Sequence, residues 1–132
     1  MTNPIVVPID GCPVSTRETN GVRMTLARTI THADHGSKLM AGISWMNPGD
    51  VSAWWSTESQ KPLSGDYHHI GPVDEIFYLI QGELVLETGA GGAGIPFRAG
   101  DTVFFPTEGR FRIRNNGTAP ATLFYVETPP LG

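Results

Sequence analysis

Short apolar stretches, separated by glycine, proline and polar turn residues, run through most of the chain. Turn sequences such as PGD, QGE, TEG and NNGTAP lie between them. A series of short strands punctuated in this way is typical of an antiparallel β-sandwich or barrel, so we predict an all-β fold. Six stretches have the length of one strand: MAGISWMN (40–47), EIFYLI (75–80), LVLET (84–88), TVFFP (102–106), RFRIR (110–114) and ATLFYVE (121–127).

Two other stretches invite a helical interpretation. STRETNGVRMTLARTI (15–30) is the one segment able to hold a helix, although Gly21 interrupts it. GAGGAG (89–94) fits the pattern G-x-G-x-x-G, in which a helix N-terminus holds the pyrophosphate of a dinucleotide. Because IPFR and a turn follow it here, in place of a helix, we interpret GAGGAG as the tip of a hairpin.

The length of 132 residues suits one domain. We expect residues 1–20 to form an N-terminal arm that packs on a partner subunit and residues 21–132 to form the β-barrel domain. A single cysteine, Cys12, excludes an internal disulfide and fits a reducing compartment. No signal-peptide pattern is present, and no apolar run approaches the ~20 residues that span a bilayer. We therefore expect a cytoplasmic protein without a membrane partner.

The formal net charge is −4, which argues against a general role in binding nucleic acid. The exception is RFRIR, in which Arg110, Arg112 and Arg114 alternate with Phe111 and Ile113. One interpretation is a solvated strand face with the two apolar residues inward. The other is a wall that binds a carboxylate or a phosphate, with Arg112 in contact with the ligand.

Candidate chemistry concentrates in SGDYHHIGPVDEIFYLI, where two adjacent histidines precede an acidic pair and a strand. Neighbouring residues of an extended chain point to opposite sides, so one of His68 and His69 would face inward and the other outward. Glu75 shares its face with Phe77 and Leu79. A carboxylate on an apolar interior face must be protonated, paired or coordinated.

This stretch resembles the first motif of the cupin superfamily, G-x5-H-x-H-x(3,4)-E-x6-G. EIFYLIQG (75–82) matches the second half of the motif. His68 takes the first histidine position with the longer spacer, and Ile70 then stands at the second. With the shorter spacer His69 is the first histidine, and Gly71 replaces the second. Either alignment lacks one metal ligand of the family.

GDTVFFPTEGRFRIRNN (100–116) resembles the second cupin motif, G-x5-P-x-G-x2-H-x3-N. The first glycine and the proline fit, and the second glycine comes one residue late. The histidine position holds Phe111 or Arg112, so the last ligand of the family is also absent. The resemblance covers about residues 40–127.

The resemblance implies a single-domain cupin β-barrel, that is, a jelly roll or double-stranded β-helix, which pairs as a homodimer. It also implies a candidate divalent metal, namely zinc, iron, manganese or nickel, held by His68, His69 and Glu75. Further ligands would have to come from other residues: His32, His35, Asp74 or Glu108.

The interior of such a barrel is the usual place for a small ligand. The long segment WWSTESQKPLSGDY (54–67) is expected to be a loop over the barrel mouth, with Tyr67 at its return as an acid or substrate-orienting hydroxyl. Trp54 and Trp55 are adjacent, so at most one of them faces inward. Candidate substrate-binding residues are Trp54, Phe77, Phe105, Phe111, Arg112 and Tyr125.

Three functions fit these residues. The first is a small-molecule enzyme in which His68, Glu75 and Tyr67 carry out proton transfer in a lyase, isomerase or dehydratase reaction, with or without a metal. The second is a metal-dependent cupin dioxygenase. The third is a non-catalytic module that binds a carbohydrate or an organic acid. We rank the enzyme first, because a buried glutamate beside a histidine fits chemistry or a cation better than passive binding.

Overall fold

A computed structural model of the chain describes residues 3–57, 73–89, 91–106 and 109–129. Almost all of its regular structure is β, as predicted. A 3-10 turn covers Ile9–Gly11 and a one-turn helix α1 covers His32–His35. The strands are β1 Ser15–Thr19, β2 Val22–Ile30, β3 Met40–Met46, β4 Trp55–Ser56, β5 Asp74–Gln81, β6 Glu83–Thr88, β7 Ile95–Arg98, β8 Thr102–Phe105, β9 Arg110–Arg114 and β10 Ala121–Thr128.

The strands form two antiparallel sheets. The larger sheet has the order β1-β2-β3-β10-β5-β8, and the smaller has the order β4-β9-β6-β7. Buried side chains from both sheets make one core, in which Phe77 and Leu79 of the larger sheet pack with Leu84 and Phe111 of the smaller. The predicted all-β sandwich or barrel is confirmed, and its six predicted strands correspond to β3, β5, β6, β8, β9 and β10.

Strict alternation decides which side chains enter the barrel. Along β5 the buried positions are Glu75, Phe77 and Leu79, with exposed residues between them. Along β10, Tyr125 and Glu127 continue the buried set that begins at Ala121. Because strand side chains have a period of two, β5 and β10 each send one row of alternate side chains inward. Each of these two rows includes a carboxylate, and the two carboxylates lie at the same end of the sheet.

The expectation of a helix within residues 15–30 is wrong. These residues form the β1–β2 hairpin, in which Thr19 pairs with Val22. The two residues of the turn, Asn20 and Gly21, have φ of 52° and 81°. Asn-Gly adopts positive φ at both positions at low cost, which is what a two-residue hairpin turn requires. The short helix α1 lies instead at His32–His35, where Thr31 caps its first turn.

The segment predicted as an N-terminal arm includes β1, which is an edge strand of the larger sheet. The predicted boundary at residue 20 falls in the turn of the β1–β2 hairpin. GAGGAG lies between β6 and β7, which pair with each other, so its described residues are the hairpin tip that we predicted. Within the described ranges, no helix has the length and apolarity to cross a bilayer.

Candidate functional site

Two buried carboxylates face each other inside the barrel. Glu75 on β5 and Glu127 on β10 are directly paired in the register of the larger sheet. Their exposed fractions are 1% and 0%. Directly opposed residues in an antiparallel sheet have Cβ atoms about 4.5–5.5 Å apart, so the two carboxylates share one small region of the interior.

The sequence predicted Glu75 as a site residue and did not predict Glu127. The alternation in ATLFYVE carried the missing signal, because Leu123, Tyr125 and Glu127 are two residues apart and share one face. Glu127 is the last residue of the predicted strand ATLFYVE, and no pattern within that strand shows that β5 lies beside it. The pairing of distant strands makes it part of the site.

Trp55 holds the carboxylate of Glu75 in place. Its Nε1–H donates a hydrogen bond of 2.9 Å to Oε1 of Glu75. The indole ring is fixed by Phe77, Phe105 and Phe111, whose ring centroids lie 5.6, 5.5 and 6.0 Å from it. A hydrogen bond to a carboxylate is among the stronger ones in proteins, so this tryptophan orients the acid in an apolar setting.

Tyr125 lies over Gly42, its direct partner on β3. A Cβ atom at Gly42 would overlap the hydroxyl and the ring of Tyr125 and approach the backbone oxygen of Ala27. The absence of a side chain at Gly42 therefore lets the tyrosine extend across β3 towards β2. The phenol hydroxyl is placed in the row of side chains next to that of Glu75 and Glu127.

The structure places four of the predicted substrate-binding residues in the buried core. An interior cavity of about 40 Å³, which is room for a very small guest, lies against Trp55, Glu75, Phe77 and Tyr125. The four predicted residues are Phe77, Phe105, Phe111 and Tyr125.

The other two predicted substrate-binding residues, Trp54 and Arg112, lie on the outer face of the barrel, and neither lines the interior cavity. Trp55 is the inward member of the tryptophan pair, since neighbouring residues alternate. The guanidinium carbons of Arg110 and Arg112 lie 4.8 and 4.5 Å from the ring centroid of Trp54 on the outer face. Strand β4, Trp55–Ser56, lies near the start of the segment that we predicted as a loop over residues 54–67.

The structure places the apolar residues of RFRIR inward, as the first interpretation expects, and its arginines on the outer face. Phe111 and Ile113 are buried, while Arg112 and Arg114 donate hydrogen bonds of 2.9 and 2.6 Å to Glu87. These hydrogen bonds, that of Arg112 first, lower the pKa of the Glu87 carboxyl from its usual value. The two arginines are thus neutralised in part by a neighbour on the same face.

The residues Tyr67, His68 and His69, which the sequence analysis placed at the site, lie outside the described residues. Among the described residues, no group of three or more histidine, cysteine, aspartate or glutamate side chains could hold a metal ion. The histidines of α1 interact locally, since His35 accepts a hydrogen bond from the backbone N–H of Thr31. Glu127 therefore adds a second carboxylate beside Glu75 of the predicted metal site. No described histidine joins these two carboxylates.

Comparison with known families gives one match. The family model Cupin_2, described as "Cupin domain", matches residues 46–127, which is more than half of the chain. No curated protein matches the chain.

Many solved structures have a similar fold. A predicted oxalate decarboxylase from Thermotoga maritima is 18% identical, with 95% of this chain and 99% of that chain covered and a TM-score of 0.72. A Cupin 2 conserved barrel domain protein from Salinispora arenicola is 20% identical, with 96% and 90% covered and a TM-score of 0.67. A sugar phosphate isomerase of the cupin superfamily from Silicibacter pomeroyi is 21% identical, with 94% and 75% covered and a TM-score of 0.66. At these identities the likeness establishes the jelly-roll β-barrel fold.

Proposed function

This chain belongs to the cupin family, and on that basis we propose that it is a small-molecule enzyme that transfers protons with the paired carboxylates of Glu75 and Glu127. The observation that carries the proposal is their direct opposition inside the barrel. Buried carboxylates are costly, and a fold has no need of two at one place for packing alone. The proposed reaction is of the lyase, isomerase or dehydratase type.

The chemistry follows from the electrostatics of such a pair. In the proposed chemistry one carboxylate is charged and the other is protonated, as is typical of two carboxylates that share one site. The charged member then acts as a general base towards an acidic C–H or O–H of the substrate. The protonated member acts as a general acid towards the oxygen that leaves or that accepts the proton.

The surrounding residues supply orientation. The indole of Trp55 donates to Glu75 and fixes the orientation of that carboxyl. We assign Glu75 as the base and Glu127 as the acid. Tyr125 is assigned a role in orienting the substrate, since its hydroxyl lies in the neighbouring row. His68 remains a proposed catalytic residue from its position in the cupin motif, and Tyr67 from its place at the return of the predicted loop.

The solved relatives support the choice of reaction class without establishing it. One is named as a sugar phosphate isomerase and another as a predicted oxalate decarboxylase. Both names describe reactions on small, oxygen-rich, anionic molecules. We propose a substrate of this general kind, a homodimeric state and a cytoplasmic location.

A divalent metal, whether zinc, iron, manganese or nickel, fits the described residues only in part. Glu75 and Glu127 offer two carboxylates, and protein sites for zinc or iron use three or four ligands. His68 or His69 would have to complete the set. The proposed proton transfer is therefore assigned to the carboxylates, and a bound metal stays a prediction from the motif.

The test is hydrogen–deuterium exchange. The protein is incubated in D₂O with small hydroxy acids, keto acids and sugar phosphates, with and without added Zn²⁺, Fe²⁺, Mn²⁺ or Ni²⁺, and product is followed by proton NMR. We expect deuterium incorporation or conversion for at least one compound. Glu75→Gln and Glu127→Gln should each slow it by about 10²-fold or more, the usual contribution of a general acid or base.

The control is Glu83→Gln, which removes an exposed carboxylate of β6 and should leave the rate unchanged. Saturable binding without exchange or conversion of any compound would instead identify a binding module. Oxygen-dependent turnover that requires added metal would identify a dioxygenase. Either result would contradict the proposal.

A further inference from the structure

A groove of about 310 Å³ lies over β1 and β2, on the side of the larger sheet that faces the barrel interior. Ser15 and Arg17 of β1 pair with Leu26 and Met24 of β2, and all four side chains line the groove together with Arg28. Met24 and Leu26 also line the interior cavity, so the two spaces share a wall. We call this space the β1–β2 groove.

The charge of the β1–β2 groove is suited to an anion. Arg17 and Arg28 line it, and Asp34 is the one carboxylate among its described lining residues. Arg28 is half-buried, and its Nε is buried without a hydrogen bond to any residue in the described part of the chain. A buried guanidinium nitrogen left without an acceptor is costly, and a bound carboxylate or phosphate would satisfy it.

The sheet register connects this arginine to the carboxylate pair. Arg28 pairs with Gly42, and Gly42 pairs with Tyr125. The tyrosine ring fills the place of the absent side chain at Gly42, which is also next to the backbone oxygen of Ala27 in β2. Glu127 lies two residues further along the same strand and the same face as Tyr125. Since neighbouring strands are about 4.8 Å apart, β2 and β10 are separated by about 10 Å, a span that a short-chain acid or sugar phosphate can bridge.

We propose that the β1–β2 groove is an anion subsite in which Arg28 binds the carboxylate or phosphate group of the substrate. This inference rests on the proposed function for the identity of the neighbouring reaction site, and it restricts the substrate to a small molecule with a terminal anionic group. Arg17 adds positive charge at the exposed side of the groove. The planar guanidinium of Arg28 presents two parallel donors, which matches both anions.

The test uses the complete chain and two probes, inorganic phosphate and malonate, which distinguish a phosphate subsite from a carboxylate subsite. Titration is followed by calorimetry for every variant, and in the unchanged protein also by NMR at the Nε–Hε signal of Arg28, assigned by its loss in Arg28→Met. We expect a saturable shift of this signal with at least one probe. Arg28→Met should weaken binding at least about tenfold, the loss expected for one charge-assisted pair.

Arg28→Lys is the second variant, because it keeps the positive charge and loses the fork of donors. It should bind the probes more weakly than the unchanged protein and more tightly than Arg28→Met, and its comparison with the unchanged protein is sufficient if Arg28→Met fails to fold. The control Arg110→Met removes an exposed arginine of the outer face and should not alter binding.

The outcomes separate this inference from the proposed function. Glu75→Gln should slow deuterium exchange by about 10²-fold or more and preserve phosphate or malonate binding at Arg28. If exchange is never observed but the Arg28 signal still saturates, the subsite stands and the proton-transfer function fails. If the signal does not respond to either probe, or if a second copy of the chain covers the groove and no probe enters, the subsite is wrong.

Discussion

Glu75 and Glu127 are direct partners across β5 and β10, and both side chains are buried in the barrel. Like charges directly opposite each other destabilise a sheet, so the protonation or ligand contacts of one carboxylate must depend on the other. The pair is therefore expected to behave as one unit in both stability and activity.

A double-mutant cycle of Glu75→Gln and Glu127→Gln should reveal this dependence. Each single change replaces one acceptor oxygen by a donor in a dry site and should cost about 1–3 kcal/mol. The double variant should depart from the sum of the two by about 0.5–3 kcal/mol, as contacting residues do. Urea unfolding measures all four free energies of unfolding. The matched cycle of Glu75→Gln with Glu83→Gln, on separate sheets, should be additive, and additivity in the first cycle would refute the coupling.

Trp55→Phe should be far more harmful than Trp54→Phe. Replacing Trp55 removes the donor to Oε1 of Glu75 and part of a buried ring, so we expect a loss of about 2–4 kcal/mol in the free energy of unfolding. Replacing Trp54 weakens contacts with two arginines on the outer face, worth about 1 kcal/mol or less. Equilibrium unfolding in urea compares the two variants directly, and equal losses would be inconsistent with the placement of the two indoles.

Gly42→Ala should destabilise the protein by more than about 2 kcal/mol, because the added methyl overlaps Tyr125 and crowds a backbone oxygen that cannot move away. Gly11→Ala is the matched control, since a Cβ there meets no atom within 4 Å. Thermal unfolding followed by circular dichroism would rank the two variants. A Gly42→Ala protein as stable as Gly11→Ala would show that Tyr125 does not occupy this space.

Glu87→Gln should lower stability at neutral pH and not at low pH. The hydrogen bonds from Arg112 and Arg114 lower the folded-state pKa of Glu87. Their contribution is fully present above the unfolded pKa of about 4.3 and is lost as the pH falls through the lower folded value. With a partly exposed side chain, the difference between the two proteins at pH 7 should be at most about 1 kcal/mol.

The pH dependence of urea unfolding, measured from pH 7 down to pH 2.5 on both proteins, checks this sign. The two curves should converge on the acidic side. A gap that widens as the pH falls would mean that the ion pairs of Glu87 do not stabilise the folded state.

Local patterns determined much of the fold. Alternation in RFRIR and EIFYLI established which residues lie inside, and glycine and proline between apolar runs marked the strand ends. The Asn20–Gly21 pair also specifies its hairpin, in the segment that we considered able to hold a helix. These features depend on neighbours in the chain, for which backbone geometry and a period of two are sufficient.

The candidate site was decided by tertiary structure. Alternation states that Trp54 and Trp55 point to opposite sides, but only the docking of β4 on β9 determines that Trp55 is the inner one. Likewise, nothing near Glu127 in the chain indicates that β10 pairs with β5 so that it faces Glu75, about fifty residues earlier. Strand registers between distant segments are set by the packing of the whole core. The sequence by itself therefore determined six of the ten described strands and one carboxylate. The fold supplied the second carboxylate, the tryptophan that holds the first, and the groove beside them.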